Sequence, residues 1–171
     1  MLKALAIIAV IVLVAVGALL AYAATKPDTF SVQRSMDIKA PPDRIFALIT
    51  DLRGSTAWSP YEKRDPEMKR TYAGASSGKG AAYSWEGNRN VGAGRMEITE
   101  TAPPNQVVIA LDFLRPFKAQ NTAEFTLTPR GEATNVTWRM HGPNLYVGKV
   151  MGTFINMDTM IGKDLRTVLQ T

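Results

Sequence analysis

The sequence predicts an α+β domain behind an N-terminal membrane segment. Three observations carry this: an uncharged apolar run at the start, a succession of short segments alternating with period two, and a final segment whose apolar residues recur at steps of three and four.

The chain has 171 residues, and its first part is unlike the rest. From Ala4 to Thr25 no residue is charged, and most are Ala, Val, Ile or Leu. As a helix of about 22 residues at ~1.5 Å each, this run reaches about 33 Å, enough for a hydrocarbon core of roughly 30 Å. Lys3 and Lys26 bracket it and can anchor both ends among headgroups. A cleaved signal is the competing reading, since Ala21-Tyr22-Ala23 has the small-x-small pattern and cutting could follow Ala23. The stretch from Ala4 to Leu20 is longer than the roughly 7–15 apolar residues of a signal, which favours an uncleaved anchor.

The chain thus divides into 1–25, anchor or signal, and 26–171, a length suited to one hydrophobic core. Lys3 and the terminal amine favour a cytoplasmic start, although Lys26, Arg34 and Lys39 lie on the other flank. Long domains translocate largely regardless of charge, so a single-pass protein with an extracytoplasmic domain is expected. Cleavage would instead give a secreted or periplasmic one.

The elements follow in order. Phe30, Val32, Met36 and Ile38 alternate with polar residues, which is a half-buried strand, and Arg34 falls on its apolar face. Pro41-Pro42-Asp43 opens a helix, because proline suits a first turn whose N–H groups lack partners. Ile45, Leu48, Ile49 and Leu52 give that helix one apolar face. Gly54-Ser55-Thr56 interrupts it, and Ala57-Trp58-Ser59-Pro60 reads as a short second turn or loop. Strands are then expected at Met68–Tyr72, Ala81–Glu86 and Gly94–Glu100, and around Val107–Phe113, Ala123–Leu127 and Val136–Met140. Pro103-Pro104-Asn105 and Pro129-Arg-Gly131 are turns. Such spacing makes an antiparallel meander. From Val147 through Phe154 and Met157 to Val168 the periodicity is helical, although Gly148, Gly152 and Gly162 each cost about 1 kcal/mol against Ala.

Two glycine-rich stretches invite a phosphate-binding reading. Gly92-Ala93-Gly94 is followed by Glu97 where a dinucleotide fingerprint needs its third glycine, and what comes next alternates with period two. It reads as a hairpin with its tip near Gly87-Asn88-Arg89-Asn90, where Gly and Asn tolerate positive φ. Gly74-Ala-Ser-Ser-Gly-Lys-Gly80 has its glycines one residue too close for a P-loop, and Gly80 replaces the magnesium-binding hydroxyl.

Other chemistry is thin. With no cysteine, disulfides and thiolate chemistry are excluded. One histidine and no cysteine leave only carboxylates for a metal, and they do not cluster at ligand spacing. His141 follows the last strand and reads as a surface turn residue. Glu86, Glu97, Asp112 and Glu124 could meet across strands, and Glu86 is either a cavity acid or base or a rim carboxylate. No catalytic residue, cofactor or metal is assigned. The net charge of +5 suits an anionic surface. The densest cluster, Lys63-Arg-Asp-Pro-Glu-Met-Lys-Arg70, interleaves its signs around a proline and reads as a solvated loop, so nucleic acid is not expected.

The segment Val32-Gln-Arg34 with Ile38-Lys-Ala-Pro-Pro-Asp-Arg-Ile-Phe46 resembles the opening of the SRPBCC superfamily, the START/Bet v 1-like group that includes polyketide cyclases and lipid-transfer proteins. Trp58-Ser-Pro60, Asp65-Pro66, Tyr83-x-Trp-Glu-Gly-Asn88, Val91-Gly-x-Gly94, Pro116-Phe117, Thr137-Trp138 and Met157-Asp158 are similar to one bacterial branch of it. The resemblance covers nearly everything after Asp28 and implies a helix-grip, a curved antiparallel sheet wrapped round a long C-terminal helix with a cavity between. It implies binding or transfer of a small hydrophobic molecule, a lipid or polyketide-like compound; the alternative is a cyclase/aromatase-like enzyme in the same cavity. With the apolar N-terminal run this makes a membrane-tethered protein, expected as a monomer because 26–171 supplies elements for one core. Tyr83, Trp85, Met96, Phe125 and Trp138, with Met151 and Phe154 from the helix, are the candidate lining, where core and cavity roles are not separable. Arg34 is the candidate polar anchor if regular alternation holds, and structural if a bulge or the rim turns it outward.

Overall fold

The computed structural model describes residues 2–57, 59, 62 and 64–153. Helix α1 (Leu2–Ala24) leads into β1 (Thr29–Ile38), α2 (Pro42–Thr50) and a 3-10 turn at Gly54–Ala57. Strands β2 (Lys69–Gly74), β3 (Ala81–Glu86), β4 (Ala93–Ala102), β5 (Gln106–Arg115), β6 (Ala119–Arg130) and β7 (Ala133–Pro143) follow, then α3 (Tyr146–Met151). The expected long C-terminal helix begins at Tyr146, and its course after Thr153, with Phe154, lies outside the described residues. So do Trp58 and Pro60 of the expected second turn.

All seven strands form one antiparallel sheet in the order β1-β7-β6-β5-β4-β3-β2. The chain passes from the β1 edge to the β2 edge through α2, which lies across β5 and β6. Ile45 and Ile49 bury that helix's apolar face, and Leu52 is buried just beyond its end, worth about 1.5–3 kcal/mol each. Leu48, expected on the same face, is instead 50% exposed. The helix buries Ile45, Ile49 and Thr50, and Leu48 lies on the solvent side of that stripe.

Strand alternation selects the inner face: Val107, Ile109 and Leu111 on β5, Ala123, Phe125 and Leu127 on β6, Val136, Trp138 and Met140 on β7. Register shifts at Ala93/Gly94 and Ile98/Glu100 interrupt the β4–β5 ladder, and such irregularities bend a sheet towards its contents.

Three expectations are corrected. His141 lies within β7, opposite Ser31 and Thr122, because the β7 ladder runs on to Pro143. At the β3–β4 turn no Asn has positive φ; the left-handed position is Gly92, and Asn88 holds the turn by accepting from Asn90 N at 2.8 Å. The cluster before β2 is partly structural: Asp65 accepts from Asn88 N at 2.6 Å, and Arg70 enters β2 and pairs with Glu62.

The P-loop lookalike is the β2–β3 connection. Gly74, Gly78 and Gly80 all have positive φ, and a Cβ on Gly74 would sit 2.0 Å from the Gly80 carbonyl. The N–H groups of Ala75, Gly78 and Gly80 are already given to the carbonyls of Gly80, Thr50 and Ile98, so they are not free to cradle an anion.

Candidate ligand-binding cavity

Between the inner face of the sheet and the α2 side lies a cavity of about 120 Å³. Its sheet wall includes Tyr83, Trp85, Met96, Phe125 and Trp138, five of the residues singled out from sequence. Leu52, Ser55, Ser59 and Glu62 contribute the opposite side. Met151 ends α3, and its side chain lies outside the described ones.

Aromatic rings dominate the wall because the register brings them together. Phe125 faces Trp138 across the β6–β7 ladder, and their rings stack with centroids 5.1 Å apart. Tyr83 stacks on Tyr72 at 5.1 Å and on Trp85 at 6.0 Å, and Trp85 meets Phe113 edge-on at 5.8 Å. Gly94 sits between Trp85 and Phe113 in the ladder order. A Cβ there would come within 2.5 Å of the Trp85 ring and 2.6 Å of the Asp112 carbonyl. Gly94 therefore makes room for an indole, which is the physical use of a glycine read from sequence as hairpin.

The polar groups are few and placed. Glu62, 6% exposed, holds both oxygens in use: Oε1 accepts from the Tyr83 hydroxyl at 2.8 Å, and Oε2 pairs with Arg70 at 2.7 Å. Arg70 also donates to the Met68 and Pro66 carbonyls. Burial, reinforced by the bond to Glu62, pushes the Tyr83 phenol well above the ordinary tyrosine range, so it stays neutral and donating. The sequence reading missed Glu62; its signal was a carboxylate directly before a basic run, which interleaved charges disguised as a solvated loop.

Two further polar atoms of the wall have no hydrogen-bond partner among the described residues: Ser55 Oγ and Trp138 Nε1. Both residues are 6% exposed. Leaving a buried donor unpaired costs about 1–3 kcal/mol, which a guest carrying an acceptor would recover.

Arg34 alternates inward as expected: β1 pairs with β7 without a register shift, and Arg34 stands opposite Trp138. Its Nη1 donates to the Gln33 carbonyl at 2.7 Å, and Arg34 is not among the cavity-lining side chains. Glu86 is exposed and accepts from Arg115 at 3.1 Å, so it is the rim carboxylate and not a cavity acid. The other carboxylates stay apart: Glu97 with Arg95, Asp112 with Gln120, Glu124 with Gln106. Among the described residues no three His, Asp or Glu side chains come together as metal ligands.

A curved antiparallel sheet closing on a mostly apolar, aromatic-walled cavity defines a ligand-binding fold of the Bet v 1-like, SRPBCC type. The profile of the family described as polyketide cyclase / dehydrase and lipid transport matches residues 29–171, and the chain belongs to that family. No curated protein matches the sequence.

Solved structures agree on the fold. Protein Ms6760 from Mycobacterium smegmatis is 19% identical, with a TM-score of 0.58 over 85% of this chain and 89% of that one. The ginseng major latex-like protein 151 from Panax ginseng is 15% identical, with a TM-score of 0.56 over 84% of this chain and 95% of its own. DynU16, a protein in the dynemicin biosynthetic locus, is 18% identical, with a TM-score of 0.56 over 85% of this chain. The match spans only 47% of DynU16.

Proposed function

We propose that the chain is a membrane-tethered binding protein that holds or transfers a small hydrophobic molecule bearing an oxygen acceptor. The observation that carries this is the aromatic cavity with Trp138 Nε1 and Ser55 Oγ buried in its wall and without a partner among the described residues. The volume limits the guest. An apolar cavity of about 150 Å³ accepts benzene, so about 120 Å³ takes one ring or a short stretch of chain. A whole lipid or polyketide-like guest is larger than this, so the cavity as described takes one part of it.

Tethering is supported by α1, which from Lys3 to Ala24 is long and apolar enough to cross a membrane. Its last turn is bound to the domain: the Tyr146 hydroxyl donates to the Leu20 carbonyl at 2.8 Å, and Ala23 is fully buried. Cleavage after Ala23 would discard those contacts, which favours retention; the extracytoplasmic side of the domain rests on the charge argument from sequence alone.

The cyclase-like alternative has one observation in its favour, the Glu62 carboxylate in the cavity wall. Arg70 and Tyr83 occupy both its oxygens, which suits a buried counter-ion better than a base awaiting a proton.

The test is solvent extraction of the purified full-length protein followed by mass spectrometry, beside the Trp138→Phe and Arg34→Met variants. A recurrent apolar guest, depleted in Trp138→Phe at unchanged melting temperature, supports the reading. Arg34→Met asks whether the guanidinium is a second anchor; binding as tight as wild type makes it structural. An extract of the full-length protein indistinguishable from bulk membrane lipid would overturn the binding reading.

A further inference from the structure

The sheet has two ends, and the ladder register fixes what gathers at each. Thr29, where β1 starts, pairs with Pro143 of β7. Phe113 of β5 pairs with Ala119 of β6, and Ala93 of β4 pairs with Arg115. The β5–β6 turn, the β3–β4 turn and the chain leaving β7 therefore share the end at which α1 joins the domain. Only Thr25 to Asp28 separate α1 from β1, a reach of at most about 14 Å even when extended. Those residues are tied down as well: Asn144 Nδ2 donates to the Pro27 carbonyl, Asn144 N to the Asp28 carbonyl, and Lys149 pairs with Asp28.

Outside α1, most of the large exposed apolar side chains among the described residues gather at this end, Leu48 on α2 being the exception. Leu114 is 56% and Phe117 60% exposed at the β5–β6 turn, and Leu145 and Val147 are each 59% exposed beside α1. Leu114 and Leu145 border one surface groove. Cations lie among them, Lys118 on the same turn and Arg89 on the neighbouring one, both exposed.

We infer that this end is a bilayer-docking surface: Leu114, Phe117, Leu145 and Val147 enter the interfacial region of the membrane that α1 spans, with Lys118 and Arg89 at anionic headgroups. The occupant follows from the tether, because a four-residue link cannot lift this end clear of a bilayer that holds α1. Phe113 borders both the cavity and the Leu114–Leu145 groove, so the docked domain has its cavity one side chain away from lipid. The inference rests on the tethered reading above.

Because the chain has no cysteine, single Phe117→Cys, Leu145→Cys, Thr128→Cys and Val12→Cys variants of the full-length protein can each carry one environment-sensitive fluorophore. Thr128 is exposed at the opposite end of the sheet, and Val12 is mid-α1. The proteins are placed in vesicles of phosphatidylcholine with phosphatidylglycerol, with or without lipids brominated on the upper acyl chain. Phe117 and Leu145 probes should shift to the blue and lose emission to bromine, while the Thr128 probe does neither. A Val12 probe in the bilayer with aqueous Phe117 and Leu145 probes overturns the docking surface and leaves the tether standing. A Val12 probe outside the bilayer overturns the tether and the docking surface with it. Blue-shifted Phe117 and Leu145 probes that bromine does not quench mean that protein covers the patch, which also overturns the proposal.

Discussion

The Tyr83 hydroxyl donates a 2.8 Å hydrogen bond to Glu62, whose other oxygen is held by Arg70. The three residues link the β2–β3 edge of the sheet to the segment that leads into β2, at the polar margin of an otherwise apolar cavity. Glu62→Gln keeps the shape and removes the charge, leaving the Arg70 guanidinium short of its counter-ion. A fully buried pair broken this way costs about 3–5 kcal/mol, and Arg70, about a fifth exposed, recovers part of that from water. A loss of roughly 2 kcal/mol is expected in urea unfolding. A loss within error of zero would show that Glu62 is solvated.

Alkaline pH should weaken the fold. The Tyr83 phenol is raised above its ordinary value of 10.0 first by burial, then by the Glu62 bond, and burial raises Tyr72 as well. The unfolded chain therefore releases protons that the native phenols retain. Their contribution is complete below about pH 10 and is lost as pH rises above it. Urea midpoints should fall as pH rises from about 10 to about 11, and fall less steeply in Tyr83→Phe. Equal slopes would exclude Tyr83 as a source.

Gly94→Ala should be costly although it adds one carbon. The new Cβ meets the Trp85 ring at 2.5 Å and the Asp112 carbonyl at 2.6 Å, so either the indole or the ladder moves. About 1–3 kcal/mol of destabilisation is expected, with altered tryptophan fluorescence. Gly131→Ala, at a positive φ with open space around it, should disturb the turn but leave the fluorescence unchanged.

A fragment beginning at Lys26 should fold cooperatively and run as a monomer. The main core cluster contains no residue of α1, and the interface with α1 is small beside it. Calorimetry and sedimentation test this. Aggregation or a gradual melt would make α1 part of the fold.

The amino-acid sequence determined the strands, because a half-buried strand writes its inner face in alternate letters. Ala81–Glu86 was read with its observed bounds, and Val107, Phe125 and Trp138 were placed inward correctly. It determined α1 as well, since an uncharged run of that length has few other uses. It named five wall residues, because large aromatics on an inner face are core or cavity in either case. Which of the two they are was decided by tertiary structure alone. A cavity is the space that side chains from distant strands fail to fill, and Gly94 beside Trp85 shows how one missing Cβ shapes it. Glu62 escaped notice for the same reason: its partner Tyr83 stands 21 residues further along, and no local pattern shows that a carboxylate in a charged run is the one that is buried. The exposed Leu114, Phe117 and Leu145 were visible as letters, but only the ladder register brings them to the end where α1 enters. Periodicity records which way a side chain points relative to its own strand; which end of the sheet it reaches, and what it meets there, depends on pairing between distant segments.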